Sequence, residues 1–201
     1  MEEIARPLRV CLTGAESTGK SELARELARH FSAPHVPEYA REYAAKVSRE
    51  LSYMDVMPIA RGQMNLEERI VMDARDLVIL DTDLLSTVVY SRHHFGACPA
   101  IVESVARTRL ADLYLLLDID VPWIPDPVRD SGDTRETLHA DFCRALEEFK
   151  APFKLISGAW DERFRRSVDE IEAARANREP SPSGRRCRVA ADEGRAREFE
   201  V

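Results

Sequence analysis

A glycine-rich octapeptide near the N-terminus carries the strongest chemical signal in the sequence. Residues 14–21 fit the pattern G-x-x-x-x-G-K-[ST]. Its two glycines let backbone N–H groups approach phosphate oxygens with no Cβ in the way, its lysine reaches the outer phosphates, and its final serine offers a hydroxyl to Mg²⁺. The pattern therefore predicts a site for ATP with Mg²⁺. The residues assigned to it are Gly14, Ala15, Glu16, Ser17, Thr18, Gly19, Lys20 and Ser21.

Two carboxylates follow a short apolar run further along the chain. Asp81 comes directly after Val-Ile-Leu, where an acid can hold a Mg²⁺ ion opposite the phosphates. Asp83 lies two residues on, so we expect it to face the same cleft. The alternative is that Asp83 caps a helix that begins after it, because aspartate is a favoured N-cap residue.

A third carboxylate lies in the segment Pro-Glu-Tyr-Ala-Arg-Glu-Tyr. Glu38 in this segment can accept the proton of a substrate hydroxyl as that hydroxyl attacks a phosphorus atom. Arg41, one helical turn later, can hold a phosphate or substrate oxygen, and Tyr39 is assigned to the same substrate site. The alternative is an exposed ion pair between Glu38 and Arg41, three residues apart.

A proline-rich segment has the composition of a lid. Three prolines among residues 121–129 exclude a helix there. We predict that Arg129, and Arg135 after it, fold over the transferring phosphoryl group and stabilise its charge. Trp123 either stacks on a ligand ring or anchors the segment in the core, and Asp126 is assigned to the substrate site.

The elements that must position these residues alternate between strands and helices. This alternation predicts a doubly wound parallel α/β sheet of the P-loop NTPase type, with about five strands flanked by helices and a lid segment. Ligands of such sheets bind beyond the carboxyl ends of the strands, where the candidate residues stand. The predicted strands are Leu8–Thr13, Ala33–Pro37, Leu77–Leu80, Leu113–Leu117 and Phe153–Ile156. The predicted helices are Ser21–Phe31, Tyr39–Val47, Met57–Arg75, Glu136–Phe149 and Asp161–Ala174.

Length and composition limit the organisation of the chain. The 201 residues predict one domain at 1–177, followed by a disordered tail at 178–201 or, alternatively, a docking segment. The net charge of −7 disfavours a nucleic-acid partner. The four cysteines lack metal-site spacing, which predicts a reducing, cytoplasmic location, and no apolar run is long enough for a membrane span.

Several segments occur together in an order that is typical of one family. The segments GAESTGKS, EYAREY, LSYMDVMPIARGQ, LDTD, LYLLLDIDVPW and ISGAWDERF resemble the kinase domain of the NadR type, the ribosylnicotinamide kinase, from Leu8 to Ala174. The resemblance implies that ATP phosphorylates the 5′-hydroxyl of nicotinamide riboside to give nicotinamide mononucleotide.

The resemblance also implies roles for individual residues. It assigns the octapeptide to ATP and Asp81 to Mg²⁺. It implies that Trp123 covers the pyridinium ring. Trp160 falls where the family often has an aromatic residue before a Glu-Arg pair; the alternative is that it packs on adenine. The residues that it assigns to the riboside are Glu38, Arg41, Gln63 and Asp83; for Gln63, an internally bonded helix residue is the alternative.

The lid departs from the family pattern P-W-V-D-D-G-x-R. Pro125 replaces an Asp and Pro127 replaces the Gly, which favours a stiffer lid or one shaped for another substrate. Two alternative functions therefore stay open: a kinase of another nucleoside or small hydroxyl substrate, and a regulatory NTPase that acts through a protein partner. The sequence assigns no oligomeric state.

Overall fold

The central feature of the protein is a five-stranded, fully parallel sheet in the order β2-β3-β1-β4-β5. The computed structural model describes residues 6–121 and 135–178. Non-consecutive neighbours in the sheet require helical crossovers, so the predicted doubly wound α/β class is confirmed. The strands are β1 Leu8–Thr13, β2 His35–Val36, β3 Leu77–Asp81, β4 Leu113–Leu117 and β5 Phe153–Ile156.

Helices cover both faces of this sheet. One face packs on α1 and α7, and the other packs on the helices from α3 to α6. The α-helices are α1 Lys20–His30, α2 Tyr39–Val47, α3 Val56–Val71, α4 Leu84–Phe95, α5 Ala100–Thr108, α6 Arg135–Glu148 and α7 Trp160–Arg178. A 3₁₀ turn, Tyr53–Asp55, precedes α3.

Successive residues of the central strands alternate between the two helical layers, and this explains why these strands are mostly apolar. In β3, Leu77 and Ile79 face α1 and α7, whereas Val78 and Leu80 face the other helical layer. Every residue of β3 and β4 is buried. A strand covered on both faces is expected to be apolar along its length, and this is the pattern by which these strands were predicted. Asp81, the last residue of β3, departs from it.

Two helices have no counterpart among the predicted elements. These are α4 and α5, between β3 and β4. In α4 the adjacent pairs Leu84–Leu85 and Val88–Val89 are all buried, so apolar residues cover a wide arc of the helix. A wide buried arc weakens the contrast between faces by which helices are identified in a sequence.

Several predictions fall at the limits of what the structure describes. Helix α7 runs to Arg178, and the rest of the predicted tail, together with Cys187, lies outside the described residues. Within residues 6–121 and 135–178, Cys11, Cys98 and Cys143 are free thiols. No helix of these described stretches has the length and apolarity to span a bilayer.

Candidate active site

The octapeptide forms a tight loop between β1 and α1. Gly14 and Gly19 have φ angles of 128° and 88°, in the region that favours glycine. A Cβ at Gly14 would lie 2.9 Å from the carbonyl oxygen of Leu117, and one at Gly19 would lie 2.8 Å from the Trp160 ring. Both glycines are therefore required by close packing against β4 and α7 as well as by backbone conformation.

Two side chains of the loop bond to the same carbonyl. The Lys20 Nζ donates to the Ala15 carbonyl oxygen at 2.7 Å, and the Thr18 hydroxyl donates to it at 2.9 Å. Lys20 is buried at the first turn of α1. These bonds keep the lysine inside the loop, within reach of a polyphosphate that follows the backbone.

Asp81 ends β3 beside this loop. Its side chain is buried, it accepts a hydrogen bond from Ser21, and the charges of Glu38 and Lys20 act on it. Burial is the largest cause that raises the pKa of Asp81, the negative charge of Glu38 adds to the rise, and the bond from Ser21 opposes it. Three predicted functional residues, Ser21, Asp81 and Glu38, thus come together.

One oxygen of the same carboxylate has no hydrogen-bond partner among the described residues. This atom, the Asp81 Oδ1, is buried. A carboxylate and a serine hydroxyl are oxygen ligands that suit Mg²⁺, which binds to few protein groups and completes its shell with water and phosphate. Within the described stretches no group of three or more His, Cys, Asp or Glu residues could hold a metal by itself. Ser21 and Asp81 therefore fit a Mg²⁺ ion that is shared with phosphates.

A cavity of about 1090 Å³ extends from the loop between α2, α3 and α4. Glu16 of the loop lines it, and so do Glu38, Arg41 and Gln63. The assignment of the last three to a substrate site stays a prediction. The Gln63 Oε1 accepts a bond of 2.9 Å from the Tyr39 N–H, the internal contact that was the alternative for this residue. Its buried Nε2 has no partner among the described residues, so its two N–H donors remain for a ligand.

Both arginines on the described cavity wall lie close to a carboxylate. Arg41 lies 3.6 Å from Glu38, so the predicted alternative contact is present, although Glu38 is buried and Arg41 is more than half exposed. Arg49 bonds to both oxygens of Asp55 at 2.7 and 2.8 Å, and these bonds hold the pKa of Asp55 well below its usual range. Of the described lining residues, three are glutamates and two are arginines. The described wall is therefore slightly acidic.

Asp83 departs from its predicted place in the substrate site. Its carboxylate accepts from the Ser86 N–H at 3.2 Å and from the Tyr114 hydroxyl at 2.5 Å, and it is not among the cavity-lining residues. The reason is local: Thr82 has a φ of 69°, and this left-handed residue breaks the strand alternation that would return Asp83 to the face of Asp81. The alternative interpretation, a helix cap for α4, describes Asp83 correctly.

The two aromatic residues assigned to ligands have different surroundings. Tyr39 lies against α3, where a Cβ on Gly62 would be 1.8 Å from its ring, and it does not line the cavity. Trp160 begins α7, covers Gly19 and donates to Glu26 at 3.1 Å. It thus contacts the outer side of the phosphate loop, and its assignment to adenine stays a prediction. The remaining predicted residues, Trp123, Asp126 and Arg129, lie outside the described residues, as do Pro125 and Pro127.

One residue beside the loop was not singled out from the sequence. Arg163 of α7 is fully buried and contacts Thr18 of the loop, Gly158, Asp118 and Asp120. The segment ISGAWDERF contains it, but no spacing rule separates a buried arginine from the exposed arginines that follow it in α7. Only the fold brings it to the loop.

Comparison with known proteins identifies relatives of this chain. Residues 9–163 match a family model described as an AAA domain. The chain is 28% identical over 170 residues to the trifunctional NAD biosynthesis/regulator protein NadR of Salmonella typhimurium, and 29% identical over 169 residues to that of Escherichia coli. These matches cover 81% of this chain and 42% and 41% of the relatives. The chain thus spans less than half the length of the curated relatives that it matches.

Solved structures share the fold. A crystal structure of a NadR protein in complex with NR superposes with a TM-score of 0.72 and 26% identity, over 85% of this chain and 52% of that one. A thymidylate kinase from Ehrlichia chaffeensis, at 12% identity and a TM-score of 0.63 over 84% of this chain and 100% of that one, shares the fold alone. The chain therefore has the fold of P-loop kinases.

Proposed function

Because the chain belongs to the AAA domain family, we propose that it is an ATP-dependent kinase that phosphorylates the 5′-hydroxyl of nicotinamide riboside to give nicotinamide mononucleotide. One observation carries the proposal: Asp81 bonds to Ser21 and is close enough to Glu38 to be affected by its charge, and Glu38 also lines the cavity that Glu16 of the loop borders. Ser21 and Asp81 fit Mg²⁺, and Glu38 can act as a base. The similarity to NadR proteins supports the choice of riboside.

The phosphate loop binds and orients the triphosphate in this proposal. Its amides and Lys20 hold the phosphate oxygens, and Lys20 exchanges its bond to the Ala15 carbonyl oxygen for a bond to the outer phosphates. Mg²⁺, held by Ser21 and Asp81, supplies charge neutralisation when bound. These contacts leave the γ-phosphorus facing the cavity that holds the acceptor.

Glu38 supplies the base on the acceptor side. The 5′-oxygen attacks the γ-phosphorus in line, its proton passes to the Glu38 carboxylate, the bond from the γ-phosphorus to the bridging oxygen breaks, and ADP leaves. The free Nε2 of Gln63 donates to a ribose oxygen in the same cavity. No covalent enzyme intermediate is required.

The charge of the cavity supports a cationic acceptor. The described wall carries more glutamates than arginines, and both arginines are close to a carboxylate. Such a wall favours a pyridinium riboside over an acceptor that already carries phosphate, whose charge would need cations that are not already paired.

The test is ADP release with ATP and Mg²⁺, with and without an acceptor. Nicotinamide riboside, uncharged nucleosides and a nucleoside monophosphate form the panel, and Lys20→Ala is compared with a matched control, Lys46→Ala, on the exposed face of α2. We expect release that depends on the riboside, with formation of its mononucleotide, and loss of most activity in Lys20→Ala alone. Release with another nucleoside would change the substrate, and slow release that ignores every acceptor would favour a regulatory NTPase. Normal turnover by Lys20→Ala would overturn the assignment of the loop.

A further inference from the structure

Arg163 is a fully buried cation that joins three segments around the phosphate loop. Its Nε donates to the Gly158 carbonyl oxygen at 2.9 Å, its Nη1 donates to the Thr18 carbonyl oxygen at 3.2 Å, and its Nη2 donates to the Asp118 carbonyl oxygen at 3.0 Å. The Asp120 carboxylate also accepts from Nη2 and balances the charge. A guanidinium with fixed donors in one plane suits this task, which a lysine cannot reproduce.

Arg135 makes a related contact on the neighbouring peptide. Its Nη1 donates to the Val121 carbonyl oxygen at 2.8 Å, and its Nη2 donates to the Ser17 carbonyl oxygen at 3.4 Å. The positive charge of Arg163 acts on Arg135 and, after burial, is a cause that lowers its pKa. Two guanidiniums therefore approach consecutive carbonyls of one loop despite their mutual repulsion.

The direction of each held carbonyl oxygen determines the direction of the amide N–H in the same peptide unit. In a trans peptide, the carbonyl oxygen of one residue and the N–H of the next point in opposite directions. A Ser17 carbonyl held by Arg135 thus directs the Thr18 N–H away from Arg135, and a Thr18 carbonyl held by Arg163 directs the Gly19 N–H away from Arg163. Ser17 and Gly19 have φ angles of 54° and 88°, and such turns group successive N–H donors into an anion-binding concavity.

We propose that Arg163, with support from Arg135, is a positioning residue that fixes the peptides after Ser17 and Thr18 so that the amides of Thr18 and Gly19 face a bound polyphosphate. Neither arginine touches the phosphates in this arrangement; each acts through the backbone. For Arg135 this replaces the predicted contact with the transferring phosphoryl group, because its donors bond to the carbonyl oxygens of Val121 and Ser17. The inference rests on the proposed function only in requiring that the loop bind a polyphosphate.

Binding of inorganic tripolyphosphate tests the inference without a base or an acceptor. We expect Arg163→Met to weaken the binding of tripolyphosphate and of ATP by at least about tenfold, because misdirected amide donors lose charge-assisted bonds. Arg166→Met is the matched control, since Arg166 is exposed one turn along α7 and bonds to Ser157 rather than to the loop. Equal tripolyphosphate affinity in wild type and Arg163→Met would overturn the proposal.

Isotope labelling reports on the amide itself. The chain has eight glycines, and only Gly14 and Gly19 follow a threonine. Carbonyl-¹³C threonine combined with ¹⁵N glycine therefore selects two amide signals, both from the phosphate loop. In wild type we expect one of them to move downfield when tripolyphosphate is added, and in Arg163→Met we expect that shift to be lost at saturating ligand. A full shift in the variant would contradict the positioning role.

Arg163→Met leaves the Asp120 carboxylate without its cation, which can destabilise the fold. A second variant that keeps the charge therefore tests the proposal independently of folding. Arg163→Lys keeps the charge but not the planar donors, and we expect about three- to tenfold weaker binding of tripolyphosphate. Wild-type affinity and a full glycine shift in Arg163→Lys would overturn the proposal. Failure of the wild type itself to bind ATP or tripolyphosphate would instead overturn the proposed function, so the two failures are distinct.

Discussion

Glu38 and Asp81 are buried carboxylates close enough for one charge to affect the other, yet their surroundings differ. Asp81 lies beside Ser21 and Lys20 at the start of α1, whereas Glu38 lies on the cavity wall beside Arg41. At the scale of single residues, the proposed reaction therefore assigns Asp81 to the metal and Glu38 to the acceptor.

The variant Glu38→Gln tests whether Glu38 acts as the base for the acceptor hydroxyl. An amide of nearly the same shape keeps the packing but cannot take a proton, so we expect kcat to fall by about 100-fold or more while the Kd of ATP changes less than about twofold. Steady-state kinetics and calorimetry measure the two quantities. Glu42→Gln, exposed one turn along α2, is the control. Comparable losses in kcat and ATP affinity would make Glu38 a structural residue.

Asp81 links activity to stability. Burial raises its pKa in the folded protein, so the folded state binds more protons than the unfolded state between the ordinary aspartate pKa and the raised value. The stability of the nucleotide-free protein should therefore decrease as pH rises through this window and stay lower above it. Acidification through the raised pKa should at the same time remove the charge that Mg²⁺ needs.

The variant Asp81→Asn should remove the loss of stability that the charged carboxylate causes, together with the charge that Mg²⁺ needs. We expect it to raise the free energy of unfolding of the nucleotide-free protein at pH 7 by about 1 kcal/mol, to flatten that step in the pH profile, and to abolish most turnover. Urea denaturation from pH 4 to pH 8 checks the first two expectations. Asp76→Asn, exposed just before β3, changes the net charge equally and should leave both unchanged. A less stable Asp81→Asn across the range would contradict the argument.

At the scale of elements, the turn from β3 into α4 decides what each aspartate does. Thr82 is buried and has a φ of 69°, a conformation that β-branched residues rarely adopt. It leaves Asp81 on the side of α1 and places Asp83 on the opposite side, where Asp83 caps α4 and accepts from Tyr114. The backbone conformation of one residue thus separates the carboxylate proposed to hold Mg²⁺ from a structural one.

The variant Thr82→Asn tests whether this conformation is strained. Asparagine tolerates the left-handed region, so we expect the free energy of unfolding to rise by about 0.5 to 1 kcal/mol. Thr82→Val keeps the β-branch and the backbone cost, and we expect no gain from it. Urea denaturation of the three proteins measures the difference. A gain in Thr82→Val equal to that in Thr82→Asn would show that the side-chain environment, not the backbone, is responsible.

The same turn marks the limit of sequence-based prediction. The predicted bounds of β1, β4 and β5 match the structure. For β4 the reason is a continuous apolar run, which identifies a strand that is covered on both faces. The phosphate loop and the convergence of Glu38 with Asp81 also followed from residue types at strand ends. The position of Asp83 did not, because the spacing of two residues assumes an extended Thr82. Arg163 was missed because its contacts join residues far apart in sequence.

At the scale of the whole molecule, the two ends of the sheet carry different polar groups. The carboxyl ends of the strands hold the phosphate loop and the cavity. Near the amino end, the buried Glu67 of α3 pairs with Arg9 of β1 and, at 3.5 Å, with Arg109 after α5. Burial is the largest cause that raises the pKa of Glu67, and the two arginines oppose that rise. This cluster ties one helical layer to the central strand on the side away from the site.

Glu67→Ala should therefore separate stability from binding. Removing the acid leaves two arginines close together without their buried partner, and breaking a buried pair in this way costs about 3 to 5 kcal/mol of unfolding free energy. Arg9 lies near the amino end of β1, whereas the phosphate loop follows its carboxyl end. We therefore expect the Kd of ATP, measured at 10 °C on variant protein shown to be folded, to stay within about twofold of wild type. Glu68→Ala is the control: Glu68 is exposed, bonds to the same Arg109 at 2.8 Å and should cost less than about 1 kcal/mol. Urea denaturation and calorimetry measure both quantities. A parallel loss of ATP affinity in Glu67→Ala would show that the amino end of the sheet is coupled to the phosphate loop through β1.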